Sequence, residues 1–207
     1  MSKLKEKICS FIMKSRFFEF LLIRILPFVR FNPYYTEIRG WKYKRGYSLL
    51  CPGDIILSKD RWKLLSAFIP GGFAHAALCI AKGDGEEFEV AEMTHTGYTK
   101  SAFFDICKEA DRVVILRCHD WDEDYIRRVV ETCRSFDGKR YDVTFSSDLD
   151  SLYCTQLVVE SDIEKRLKIS FVRLPVAGRP VHTPACLYSA ENISVIWDSD
   201  RERNGSK

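Results

Sequence analysis

Residues 73–92 read FAHAALCIA KGDG EEFEVAE. Phe73–Ala81 is an apolar run interrupted by one polar side chain, His75. The Gly-rich turn Lys82–Gly85 follows, then Glu86–Glu92, so the stretch predicts a β-hairpin. On the second strand Phe88, Val90 and Glu92 share one face, and Glu87 and Glu89 share the other. Two polar groups therefore stand at apolar positions. An imidazole there needs a hydrogen-bond partner, and a carboxylate is costly unless paired. The hairpin is expected to bring Glu92 beside His75. A carboxylate accepting from an imidazole N–H fixes its tautomer and supports its protonated form. The plainer reading of His75, a satisfied core histidine, stays open. His95, three residues past Glu92, competes as base or orienter.

Outward from the hairpin the chain alternates short strands and helices. Gly53–Leu57 reads as a strand entered from a Pro52–Gly53 turn. Residues 61–69 (RWKLLSAFI) read as a short helix stopped by Pro70, Gly71 and Gly72. Arg112–Cys118 is a further strand. Over residues 121–136, Tyr125, Ile126, Val129, Val130 and Cys133 recur at helical spacing. Asp120 is the expected cap there, and Asp122, Glu123 and Asp124 fill the first turn. A second helix is expected to begin near Cys154 and to run through Gln156, Leu157, Val158 and Glu160. The result is an α+β domain with a small, mostly antiparallel sheet. The expected boundaries are an N-terminal arm at 1–45, the folded domain at 46–190 and a tail at 191–207, mobile from Asp198.

The chain has 207 residues, 46% apolar and 13% aromatic, enough for one ordinary core plus an extension. Disordered, collagen-like and coiled-coil classes are excluded. With 32 basic and 29 acidic side chains, the whole is too balanced for a nucleic-acid binder. The charge is uneven, however: residues 1–46 carry eleven basic side chains against Glu6, Glu19 and Glu37. A basic arm precedes a mildly acidic body.

Residues 8–31 (ICSFIMKSRFFEFLLIRILPFVRF) are apolar but carry Lys14, Arg16, Glu19 and Arg24. Central charges cost roughly 2.5–3.5 kcal/mol each in a membrane span, and Pro27 bends or ends a helix. With Glu19 and Arg24 inside its apolar core and no small-residue cleavage site after it, the segment is not expected to be a signal peptide either. Two readings stay open for it: packing on the body or a partner, and peripheral contact with a membrane surface.

None of the eight cysteines sits in a CxxC pair, so neither a zinc site nor a small disulfide framework is expected. A reduced, cytoplasmic chain is expected, with most thiols acting as small buried residues. A reactive thiol belongs at a helix N-terminus, where unpaired N–H groups and the dipole favour the thiolate. Cys154 fits, because Ser151–Val158 reads as loop passing into apolar helix, and its own N–H is a candidate oxyanion donor. Cys79 lies four residues along the strand from His75, about 13 Å at ~3.3 Å per residue, out of reach. His119 and His182, at a strand end and in a Pro-flanked loop, are expected to be solvated or capping.

Four stretches in this order resemble the permuted papain-like amidases of the NlpC-type superfamily. They are Gly53-Asp54-Ile55-Ile56-Leu57, then Phe73-Ala74-His75-Ala76-Ala77-Leu78, then Val90-Ala91-Glu92 with Gly97-Tyr98. The last is Gly138-Lys139-Arg140-Tyr141-Asp142 followed by Tyr153-Cys154-Thr155-Gln156-Leu157-Val158. In that group the histidine strand precedes the nucleophile, reversing papain's order. The family often has serine and glutamate after its cysteine, where this chain has Thr155 and Gln156. A related lecithin:retinol acyltransferase group has a second histidine where this chain has Glu92.

The resemblance implies a circularly permuted papain-like fold with a nucleophile-bearing helix. It makes Cys154 the nucleophile, His75 the base and Glu92 the residue orienting it. The implied activity is cleavage of a peptide or acyl-amine bond through a Cys154 thioester, with no metal or organic cofactor. Two alternatives stand beside it: a lipid acyl hydrolase or acyltransferase at a membrane surface, and a non-enzymatic binding protein on the same fold.

Overall fold

A computed structural model describes residues 20, 25, 36–38, 40–60, 72–83, 87–145, 149–173 and 179–201. In chain order its elements are α1 (Trp41–Leu49), β1 (Ile55–Lys59), β2 (His75–Lys82), β3 (Phe88–Thr94), β4 (Gly97–Ala102) and α2 (Phe103–Glu109). Next come β5 (Arg112–Cys118), α3 (Glu123–Ser135), β6 (Arg140–Tyr141), β7 (Ser151–Leu152) and α4 (Cys154–Ser161). The last are β8 (Val172–Arg173), β9 (Pro180–Val181), α5 (Pro184–Tyr188) and β10 (Ile193–Asp198).

Six strands form one sheet in the order β10-β5-β1-β2-β3-β4, every pair antiparallel. The expected hairpin is β2–β3, with Ala77 opposite Glu92 and Leu78 opposite Ala91. β2 is more apolar than a one-sided strand because both its faces are covered. Ala76–Ile80 are all buried. Ile55, Leu57, Ala76, Leu78, Val114 and Leu116 pack under α3 and α4. Ile56, Ala77, Cys79, Val90, Val113 and Ile115 pack under Phe103, Ile106 and Cys107 of α2, with Tyr43 and Tyr47 of α1 alongside. The face alternation expected on 86–92 holds, with Phe88 and Val90 on one face, but the other face is covered too, so Ala91 is as buried as they are.

Local chemistry sets the helix starts. Asp122, not Asp120, caps α3, its side chain accepting from the Tyr125 N–H at 2.9 Å. Asp120 instead accepts from the Asn192 side chain at 2.7 Å. Glu123 and Asp124 occupy the first turn of α3 and Arg134 the last, each matching the dipole. In α1, Gly46 admits the Trp197 ring so closely that an added Cβ would lie 2.9 Å from it. Ile193–Asp198, assigned above to a tail, forms the edge strand β10 against β5. Arg112 donates to Asp198 there through Nε at 3.0 Å and Nη2 at 2.7 Å. The expected helix at 61–69 and the end of the tail, 202–207, lie outside the described residues. So does the apolar segment 8–31, apart from Phe20 and Ile25, which are exposed. Among the described residues no helix is long and apolar enough to cross a membrane.

Candidate active site

α4 begins at Cys154, as the loop-to-helix reading of 151–158 anticipates. Its first turn holds no acidic residue, unlike that of α3, so the positive end of the helix is left to the thiol. The N–H of a first helical residue has no acceptor within its own helix. Gln156 turns its Oε1 back to accept the Tyr153 N–H at 3.4 Å, and Leu157 and Val158 anchor the helix on the sheet. Cys154 itself is only 5% exposed.

His75 opens β2, opposite Ser58 of β1. Its Nε2 lies 2.6 Å from Oε2 of Glu92 on β3. The two side chains are 26% and 13% exposed, so the pair is shielded but reachable. With Nε2 engaged, Nδ1 is the nitrogen left for the thiol. The other oxygen of Glu92, Oε1, accepts from the Ser101 hydroxyl on β4 at 2.5 Å. The structure therefore brings Cys154, His75 and Glu92 into one group and adds Ser101, which the sequence reading did not single out. The missing signal was the β3–β4 register, which sets Ser101 opposite Val90 and diagonal to Glu92.

The electrostatics follow from this grouping. Burial opposes charge on His75, but hydrogen bonds to Cys154 and Glu92 outweigh it and raise its pKa to about 10. Burial likewise opposes the Cys154 thiolate, yet the hydrogen bond and charge of His75 hold that pKa below the usual thiol value. Both shifts act in the direction of a thiolate–imidazolium pair. Tyr141 and Tyr153 sit beside the thiol; burial first, then the nearby Cys154 charge, pushes Tyr141 up, and burial pushes Tyr153 up to about 12. Both stay neutral in the physiological range.

Of the remaining histidines, His95 is in the β3–β4 turn. His119 meets Ser194 at 2.8 Å, and His182 meets the Ser170 carbonyl at 2.8 Å. Among the described cysteines Cys51 is exposed and the other six are buried.

One glycine is tied to this region. Gly97 opens β4 with φ +104°, and a Cβ there would lie 2.5 Å from the Lys139 carbonyl oxygen. The next residue, Tyr98, donates its N–H to that same oxygen at 2.9 Å. This contact fastens β4 to the strand bearing Tyr141, which in turn pairs with β7 just before Cys154.

Comparison with known proteins places these features in a family. The family model described as permuted papain-like amidase enzyme, YaeF/YiiX, matches residues 50–177. A crystal structure of the metalloprotein YiiX from Escherichia coli superposes with a TM-score of 0.58 at 16% identity, covering 70% of this chain and 96% of that one. Likeness at that identity speaks to the fold, an α+β permuted papain-like one. No curated protein matches.

Proposed function

The chain belongs to the YaeF/YiiX family of permuted papain-like amidases, and from that premise we propose that it cleaves an amide bond through a thioester on Cys154. The observation that carries the reading is the pairing of His75 Nε2 with Glu92 Oε2 at 2.6 Å, with the thiolate favoured on the imidazole's other side. A peptide or acyl-amine is the substrate class.

In this scheme the Cys154 thiolate attacks the amide carbonyl carbon, forming the C–S bond. The Cys154 N–H at the start of α4 donates to the developing oxyanion. Imidazolium His75 then gives its proton to the leaving nitrogen as the C–N bond breaks. Water adds to the thioester, losing its proton to neutral His75, and the carboxylic acid leaves as the C–S bond breaks. The returning proton restores the pair. Glu92 holds the imidazole by Nε2 throughout, so Nδ1 faces the reacting atoms.

The relative YiiX is called a metalloprotein. Among the described residues of this chain, no group of three His, Cys, Asp or Glu side chains converges as a metal-ligand set. The described side chains do not fit such a centre.

The test is alkylation of each cysteine against pH, read by peptide mass spectrometry, in parallel with amide hydrolysis. Cys154 is expected to react well below the pH at which ordinary thiols ionise, and to lose that advantage in His75→Ala. Hydrolysis is expected to fall on the alkaline side near pH 10, where His75 loses the proton it must donate. On the acid side it falls as the thiolate protonates, below the ordinary thiol range. A slow Cys154 indifferent to His75 would make the thiol structural and leave the binding-protein reading in its place.

A further inference from the structure

We propose that Ser101 is a positioning residue that locks the Glu92 carboxylate and thereby maintains the Cys154–His75 ion pair. The proposal rests on the amidase reading above and extends it by one residue. Glu92 is engaged at both oxygens: Oε2 meets His75 Nε2 at 2.6 Å, and Oε1 accepts from Ser101 Oγ at 2.5 Å. A carboxylate held at two points by donors from two neighbouring strands has little freedom to turn away from the imidazole.

The donor is not simply the nearest hydroxyl in the register. Thr99 stands directly opposite Glu92, yet its hydroxyl lies 3.0 Å from Thr94 Oγ1 and 3.2 Å from the Gly97 carbonyl. The diagonal Ser101 reaches Oε1 instead. Its backbone is fixed by the β3–β4 pairing and by the start of α2 one residue beyond β4.

A hydroxyl donor favours the ionised form of a carboxylate. Removing it leaves Oε1 without that donor, so Glu92 takes up a proton more readily and rotates more freely. A protonated Glu92 no longer stabilises imidazolium, and without imidazolium the thiolate is lost. Among the described residues the charged and titratable groups that act on the pair include His75 and Glu92 from the sheet and Tyr141 and Tyr153 beside Cys154, with Asp142 and Arg179 next to those tyrosines. The Ser101 hydroxyl meets this group at Glu92 Oε1.

The experiment follows the pH dependence of Cys154 alkylation by iodoacetamide in the full chain, in Ser101→Ala and in Ser101→Thr. The acid edge of reactivity is expected to move up by about one pH unit in Ser101→Ala, a roughly tenfold loss of rate on that limb, because the hydroxyl donor supports the ionised carboxylate. Ser101→Thr, which keeps the hydroxyl and suits a strand, is expected to restore the wild-type edge. Melting curves establish that both variants fold. An unshifted edge in Ser101→Ala, with Cys154 still reactive, overturns the role of Ser101 and leaves the amidase reading standing. Equal shifts in Ala and Thr variants overturn it too, since packing rather than the hydroxyl would then matter. An ordinary, unreactive Cys154 in wild type brings down both.

Discussion

The two faces of the sheet each carry a helix with a buried cysteine, and the two thiols have opposite characters. Cys107 in α2 is 1% exposed and Cys154 in α4 is 5% exposed, so burial does not distinguish them. Desolvation drives Cys107 far above the usual thiol range, with the Glu87 charge adding to it. At Cys154 the same desolvation is overcome by His75. Position matters as well. Cys107 sits among Phe103, Ile106 and Ala110 inside a helix and its exit, whereas Cys154 is the first residue of α4, where the N–H groups point outward. Cys133, beneath α3, follows the Cys107 pattern at about 11, because burial outweighs its hydrogen bonds to Ser161 and Tyr98. At Cys107 and Cys133 burial wins and the thiol form is favoured; at Cys154, where a helix start and an imidazole coincide, the thiolate is favoured instead.

The largest test of this contrast is Cys154→Ala, expected to lower amide hydrolysis by roughly 10³-fold or more with an unchanged melting temperature. Retained hydrolysis would remove the distinction between the faces. Glu92→Gln comes next: it keeps the shape but loses the charge that supports imidazolium, and a loss of about 10²-fold in hydrolysis is expected. Its Cys154 alkylation profile should move toward that of an ordinary thiol. On the opposite face, Gly46→Val drives a side chain into the Trp197 ring and is expected to cost about 1–3 kcal/mol of stability by denaturant unfolding. The Cys154 reactivity edge should stay where it is, and a shift would mean that the two faces communicate. The smallest effect is that of Cys107→Ala, about 1 kcal/mol or less in stability, with hydrolysis equal to wild type.

How far the sequence reveals this arrangement depends on the range of the interactions. The β2–β3 hairpin and α3 were legible because alternation, Gly-rich turn and helical spacing are local signals. Cys154 was legible as a helix start because apolar residues follow it without a break. The His75–Glu92 pairing was legible because two polar side chains on adjacent strands had few other ways to be satisfied. The second covered face was not, since five buried residues in β2 read the same whether one or two layers pack on them. β10 escaped because its partner β5 lies some 80 residues earlier, beyond any periodicity. The Asp122 cap was misplaced by two residues, the usual scale of error at helix ends. Ser101 was invisible because its meeting with Glu92 is diagonal and exists only once the β3–β4 register is set.

The order of His75 before Cys154 has a consequence during synthesis. Roughly 80 residues separate them, so at ~5–20 residues per second the thiol is made about 4–16 s after the imidazole. The β2–β3–β4 meander, which holds His75, Glu92 and Ser101, is complete in sequence well before α4 exists. A nascent or truncated chain therefore carries His75, Glu92 and Ser101 with no Cys154, and on the proposed reading a chain whose α4 has not docked carries an ordinary thiol. In the proposed scheme the fast-alkylating form of Cys154 thus appears only once α4 has docked against the meander, and its labelling rate reports that docking.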